Sequence, residues 1–462
     1  MSICTKLKKY YQFKVYAVVL LLFSISEALG QNQYNLGDFC TENSSNLTET
    51  VNELLKKGDV YIPEGKWKLS KRIYLPEGRN LMGAGQEKTV LYTDEPLRMV
   101  EVTGSNNSIS DIYFKGPNKT TKAAFLVYKL RNTKNLSIHD CHLEGATGGI
   151  FIEGICDSIH IADCRFSKMY PADGKPSSGY GIVFHHNKEP EERGIFNAKI
   201  ERNVFDETVY RHSIYLQLSE NIEISDNVFY GSNEKKISGY EYQINIVGCK
   251  NLFIHDNTVI GGYGFVNGGM VTEYHGRGSD FLIINNLLIG NVSSNNDLGV
   301  INARFDNCTI TNNTFVSSNT YGIHIGPVKG TIITDNKFVT ETDTGWPFIE
   351  FQNRQTDILT IKGNNFISPS TSHTPSILLK GIHVENLTLK NNNVTGGEVG
   401  VLLSDSSILQ AFIVGNRHDG KMIKFVRNKF IEKMDYSNNS SKEHPEISVE
   451  EGCLLFILNN TN

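Results

Sequence analysis

Between residues 221 and 231 the chain reads NIEISDNVFYG, and the same phrase returns ten more times in other letters. LSIHDCHLEG, AKIERNVFDE, LFIHDNTVIGG, CTITNNTFVSS and LTLKNNNVTGG are examples. Each has alternating apolar residues, a polar pair, and apolar residues again. Alternation at period two marks a strand. The polar pair marks a bend, because Asn and Asp tolerate left-handed backbone and bond to it locally. One column of the repeat runs Cys141, Cys164, Asn203, Asn227, Asn257, Asn286, Asn313, Asn336, Asn364, Asn392 and Asn416. Its steps are 23, 39, 24, 30, 29, 27, 23, 28, 28 and 24 residues. A period of this length belongs to a solenoid. No helical period lies between the strands, which disfavours helical and leucine-rich repeats, and a propeller blade needs about 40–45 residues. What remains is a β-solenoid whose strands pair in parallel about 4.8 Å apart. In it an Asn at a fixed bend bonds its counterparts above and below as a ladder.

These repeats resemble the right-handed parallel β-helix superfamily of the pectate-lyase type. The stretch LTETVNELLKKGDVYIPEGKWKLSKRIYLPEGRNLMGAGQEKTVLY is similar to that superfamily's opening module, with a short amphipathic helix near 47–57. The resemblance spans roughly residues 36–430. It implies an all-β, single-stranded right-handed parallel β-helix of roughly 11–13 coils, its open end covered by an N-terminal capping helix. The chain divides accordingly into residues 1–30 (signal peptide), 31–110 (cap and first coils), 111–430 (β-helix repeats) and 431–462 (C-terminal cap or loose tail).

The N-terminal segment is basic (KLKKYYQFK), then apolar (VYAVVLLLFSIS), then small-residue rich up to Gly30. That order reads as a secretory signal peptide and places the mature chain outside the cell, or in the periplasm of a bacterium. No other stretch is apolar enough to span a membrane. Cleavage removes four Lys and one Glu and moves the formal charge from −5 to −8. An acidic chain argues against nucleic acid as partner. Seven Cys remain, so at least one has no partner within the chain, and no CxxC spacing suggests zinc. Cys141 and Cys164, at the first two ladder places, fit either stacked thiols or a disulfide. Asn-x-Ser/Thr triplets are frequent, but an Asn-rich repeat generates them by chance.

Chemistry is sought on the second strand of each coil. Its outward positions read Tyr215 and Gln217, Asn245, Glu273, Asn302 and Arg304, His324, then Glu350. The flanking coils carry Phe151, Val183, Leu378 and Leu402 there. Solvent-facing strands are polar in any case, so no single residue is diagnostic. The contrast between cluster and flanks is. The turns add Tyr180, His185, Arg211, His212, Tyr242, Tyr274, His275 and Arg277. Aromatic rings with Arg, His and Glu suit a polysaccharide lying along a groove. A lyase or epimerase acting on a uronate needs a base beside a cation that neutralises the carboxylate. His212 or Tyr215 is the expected base, with Arg304 or Arg277 as the clamp and Glu273 beside them. The alternatives are a glycoside hydrolase using a carboxylate pair around Glu273 and a glycan-binding protein without turnover. No cofactor is evident. Glu273 with Asn245 offers oxygens of the kind Ca²⁺ takes, but only two.

Overall fold

A computed structural model describes residues 32–118, 125–130, 132–172, 178–186, 192–206, 209–231, 242–268, 276, 278–292, 299–369, 372–426, 430–441, 447–449 and 455–457. Alternating side chains and recurrent bends wind these residues into a right-handed, three-sheet parallel β-helix of about 13 turns with one α-helix. The expected architecture is the observed one. A representative turn runs through Ser219–Ser225 in sheet A, Val228–Gly231 in sheet B and Tyr242–Val247 in sheet C. The chain then re-enters sheet A at Lys250–His255. Ile224 pairs with Ile254, Phe229 with Val259 and Asn245 with Asn267, so equivalent residues stand over one another.

The core consists of such columns. Ile138, Ile161, Ile200, Ile224, Ile254 and Ile283 follow one another inside sheet A, all fully buried. Inside sheet B, Phe166, Phe205 and Phe229 stack at 4.8 and 4.9 Å between ring centroids. That spacing equals the distance between strands, so the backbone pitch itself sets the rings at stacking distance.

The bend from sheet A to sheet B explains the fixed column. One residue there takes the left-handed conformation: Asp226 (φ 56°), Asp256 (55°), Asn285 (59°), Asn312 (54°) and Asp335 (57°). Asn and Asp adopt it at less cost than other side chains with a Cβ. The next residue is the ladder Asn. The backbone N–H and Nδ2 of Asn257 both donate to Asn286 Oδ1 at 3.0 Å, and Nδ2 also donates to the Ile224 carbonyl at 2.9 Å. The same pattern runs from Asn203 to Asn416 and on to Asn439, one rung further than the sequence column. The last coils continue the pairing, with Phe430–Ser437 alongside Ser407–Val414.

Cys141 and Cys164 are buried free thiols, so the disulfide left open between them is not formed. Cys164 Sγ points at the Ile138 carbonyl at 3.7 Å, the place an Asn amide takes elsewhere, while its N–H donates to Asn203 Oδ1. Burial first, and the Cys141 thiol beside it, raise the Cys164 pKa.

The helix, α1 (Leu47–Leu55), closes the N-terminal end. Leu47, Val51, Leu54 and Leu55 are buried against the strands Asp59–Ile62 and Ile73–Leu75, covering the open end of the core.

Candidate functional site

The outward positions of sheet C form one unbroken column. Val183 is followed in register by Tyr215, Asn245, Asn267, Asn302, His324, Glu350, Leu378 and Leu402. Period-two alternation put all of these but Asn267 on the outer face from sequence alone. The place between Asn245 and Asn302, read as Glu273, belongs to Asn267. The strand there is the short Gly264–Asn267, and Glu273 comes six residues later. Glu273, Tyr274, His275 and Arg277 lie outside the described residues. A shared apolar-Asn pattern in QIN, FVN and VIN was the signal that would have picked out Asn267.

The column divides into three parts. In the first, Tyr215 meets Tyr180 (5.8 Å between centroids) and His212 (6.2 Å), and the Arg211 guanidinium sits 4.7 Å over the Tyr180 ring. These groups serve one another. His212 is 1% exposed, and its Nδ1 donates to the Tyr242 carbonyl at 2.8 Å. Tyr242 is buried as well. Its ring covers Gly264, where a Cβ would come within 2.4 Å of it, and its hydroxyl donates to the Gly299 carbonyl at 2.7 Å. The Tyr215 hydroxyl donates to Gln217 Oε1 (3.3 Å), and Gln217 Nε2 to the His186 carbonyl (2.9 Å). Burial pushes the Tyr215 phenol up, the buried Cys249 adds to this, and Arg211 opposes it. His185 stands apart, 3.4 Å from the Glu153 carboxylate. The expected aromatic platform is therefore largely internal packing.

The second part is an amide ladder on the outer face. Asn302 Nδ2 donates to Asn267 Oδ1 (2.7 Å) and Asn267 Nδ2 to Asn245 Oδ1 (2.8 Å).

The third part has the geometry of an oriented base. His324 Nδ1 lies 2.8 Å from Glu350 Oε2, and the Glu350 side chain is 3% exposed. Gln352 donates to the other carboxylate oxygen. With Nδ1–H held by a carboxylate, a neutral His324 carries its free lone pair on Nε2. Arg304, two residues after Asn302, lies over Gly326 of the next coil. A Cβ on Gly326 would come within 2.6 Å of Arg304 Cγ, and one on Gly268 within 2.8 Å of its Cβ. Two glycines thus leave the space Arg304 fills. Burial lowers the Arg304 pKa, as does Arg354, against an opposing effect of Tyr242. The His324–Glu350 contact joins residues 26 apart in sequence and was not anticipated.

The family model described as periplasmic copper-binding protein (NosD) matches residues 192–376. Among the described residues no three His, Cys, Asp or Glu side chains converge to hold a metal. Within the matched stretch, Cys249 is a buried thiol pushed up to about 11 by burial, and His212, His255 and His324 each already bond a carbonyl or carboxylate. Among the described residues of that stretch, the donors do not fit copper. No curated protein matches the sequence.

Among solved structures, DFA-IIIase from Arthrobacter chlorophenolicus A6 in complex with DFA-III is similar, with a TM-score of 0.52 and 12% identity. The match covers 74% of this chain and 95% of that one. The catalytic unit of the GH87 α-1,3-glucanase from Streptomyces thermodiastaticus strain HF3-3 matches with a TM-score of 0.47 and 12% identity, over 90% of this chain and 71% of that one. The alginate lyase from Paenibacillus sp. str. FPU-7 matches at 0.44 and 13%, over 63% and 93%. The structural neighbours are carbohydrate-acting β-helix enzymes, and at these identities the likeness is one of fold. By architecture the chain is a right-handed parallel β-helix.

Proposed function

We propose that the protein is exported, binds a uronate-containing polysaccharide along the outer face of sheet C, and cleaves it by β-elimination. The observation that carries this is the His324–Glu350 dyad beside Arg304. In this reading His324 Nε2 takes the proton next to the uronate carboxylate. The Arg304 guanidinium neutralises the charge that develops on that carboxylate. Glu350 holds the ring in the right tautomer and stabilises the imidazolium. The proton then goes from His324 to the departing glycosidic oxygen as the carbon–oxygen bond breaks and the double bond forms. A syn elimination needs only this one group, whereas an epimerase needs a second acid on the opposite face of the ring. The base assignment moves from His212 and Tyr215 to His324 because His212 is enclosed and already bonded to a carbonyl.

A hydrolase reading is less favoured. Both oxygens of Glu350 are engaged, by His324 and Gln352, and the carboxylate pair would have to come from Glu273 and its surroundings. The test is incubation with alginate, pectin, glycosaminoglycan and neutral glycans. New absorbance at the ultraviolet edge, lost in His324→Asn, is the expected result. New reducing ends without that absorbance mean hydrolysis, and retention without product means binding alone; either overturns the lyase.

A further inference from the structure

Around the dyad, cations line the edge of sheet C on one side only. The residue two places after each outward position forms a second column. Toward the C-terminal coils it runs Arg304, Gly326, Gln352, Lys380 and Ser404. Arg354 follows Gln352 by two residues, in the turn that leads to sheet A. Arg354 and Lys380 are exposed and Arg304 is part-exposed. None of the three makes an ion pair among the described residues. Toward the N-terminal coils the same column holds Gln217 and Val247, both buried and uncharged. Of the cations near them, Arg193 is engaged by the Gly248 carbonyl, and Lys250 stands in register with Glu220.

The turns that carry Arg354 and Lys380 are tied to one another. Asn353 takes the left-handed conformation (φ 49°), and its N–H donates to the Lys380 carbonyl at 2.8 Å. Its side-chain oxygen lies over Gly381, where a Cβ would come within 2.3 Å of it. The His383 N–H donates to the Arg354 carbonyl at 2.9 Å. Burial lowers the Arg304 pKa, Tyr242 opposes this, and Arg354 adds to the lowering, so the two guanidiniums stand close enough to disfavour one another's charge. The nearby carboxylates are otherwise engaged: Asp306 accepts the Lys329 N–H at 2.9 Å, and Glu350 is held by His324 and Gln352. An anion lying along these cations relieves their repulsion.

From Arg304 to Lys380 is three coils, about 14 Å. The pitch of the coils is close to the advance of one pyranose in an extended chain, so successive sugars pass successive coils. We infer that Arg304, Arg354 and Lys380 form a track for the carboxylates of consecutive acidic sugars, so that the substrate is an unbroken run of uronates recognised by charge on the C-terminal side of the dyad alone. The inference rests on the reading of His324 and Arg304 as the uronate site.

The experiment uses the full protein carrying His324→Asn, so that nothing is turned over, with oligogalacturonates and oligomannuronates of increasing length as probes in a calorimetric titration. Affinity is expected to rise with each added uronate until the chain reaches past Lys380, and then to level off. Arg354→Ala and Lys380→Ala are each expected to weaken binding of the longest oligouronates about fivefold and to leave the shortest unchanged. Both positions are exposed, and melting temperatures near wild type confirm that the variants fold. Added salt should weaken binding more in the protein with both cations than in either variant. Reducing the carboxylates to neutral hydroxymethyl groups at one end of the oligosaccharide should reproduce the loss, and at the other end should have no effect. Unchanged affinity in both variants, or equal loss from either end, overturns the track and leaves His324 untouched. If the wild-type protein turns over no uronate polymer, the base assignment fails and the titration still decides the track. No binding of any oligouronate overturns both.

Discussion

The outer faces of sheets A and C both carry charge, but they use it differently. On sheet A the charges around Glu201 and Glu223 answer one another. Glu201 accepts from His160 (3.0 Å), Lys199 (2.5 Å) and Arg202 (2.6 Å), and Arg202 also reaches Asp163 (2.7 Å). His255 sits between Glu223 (3.3 Å) and Asp256 (2.6 Å). A neutral imidazole has one N–H, so only the imidazolium satisfies both carboxylates. On sheet C the His324–Glu350 pair is closed too, but on the preceding coil two groups are left over. Arg304 makes no ion pair among the described residues, and the Asn302 amide oxygen, at the end of its ladder, has no donor there. A closed network holds a fold, whereas an unpaired cation such as Arg304 is what the proposed uronate site requires.

The sharpest way to break this comparison is to remove one group from each face. His324→Asn is expected to lower product formation by about 10²–10⁴-fold with the melting temperature nearly unchanged. A comparable loss of activity from Glu201→Gln would erase the distinction. Next in size is the shared scaffold. Asn286→Ala strands the buried backbone N–H of Asn257 and takes the amide from the Ile254 carbonyl, and is expected to cost roughly 3 kcal/mol, read from denaturant unfolding. Activity per folded molecule should persist.

Glu201→Gln is expected to cost about 1–2 kcal/mol at neutral pH, with a signature in acid. Burial alone would raise this carboxyl, but hydrogen bonds from His160, Lys199 and Arg202 outweigh it and hold it well below the usual carboxylate range. Its contribution is complete above the unfolded value of 4.5 and is lost as pH falls through the folded value, so the variant should show a flatter acid limb in its melting curve. His255 works in the opposite direction. Burial disfavours its charge, the Glu223 and Asp256 carboxylates prevail, and its pKa is raised. That contribution is complete below 6.5 and is lost as pH rises through the folded value, so His255→Gln should flatten the alkaline side. The smallest effect is Gly326→Ala. The added methyl displaces Arg304 and should lower activity about tenfold while leaving stability close to wild type.

The ladder was legible because a left-handed bend restricts which residues can occupy it, and that restriction repeats in every coil. Tyr215, Asn245, Asn302, His324 and Glu350 were legible as one face because strand alternation is strict. What stayed hidden depends on the third dimension. That Tyr242 lies down over Gly264, enclosing its neighbourhood with His212, follows from the packing of one coil on the next. The displacement of Glu273 by Asn267 follows from where a short strand ends, and alternation cannot date an ending. The pairing of His324 with Glu350 needs the register between coils, which a long intervening loop conceals.

The asparagine rungs all point the same way, each giving its backbone N–H and one amide hydrogen to the Oδ1 of the rung that follows. Every turn from Asn203 to Asn416 therefore presents its neighbours with the same socket, whatever its outer strand carries. Removing one whole turn would shorten the molecule by about 4.8 Å and let the two flanking turns dock without repair. The surface chemistry would change at once, because residues that never met would become adjacent. In such a molecule new specificity can arise by shuffling turns, with the spine left as it was.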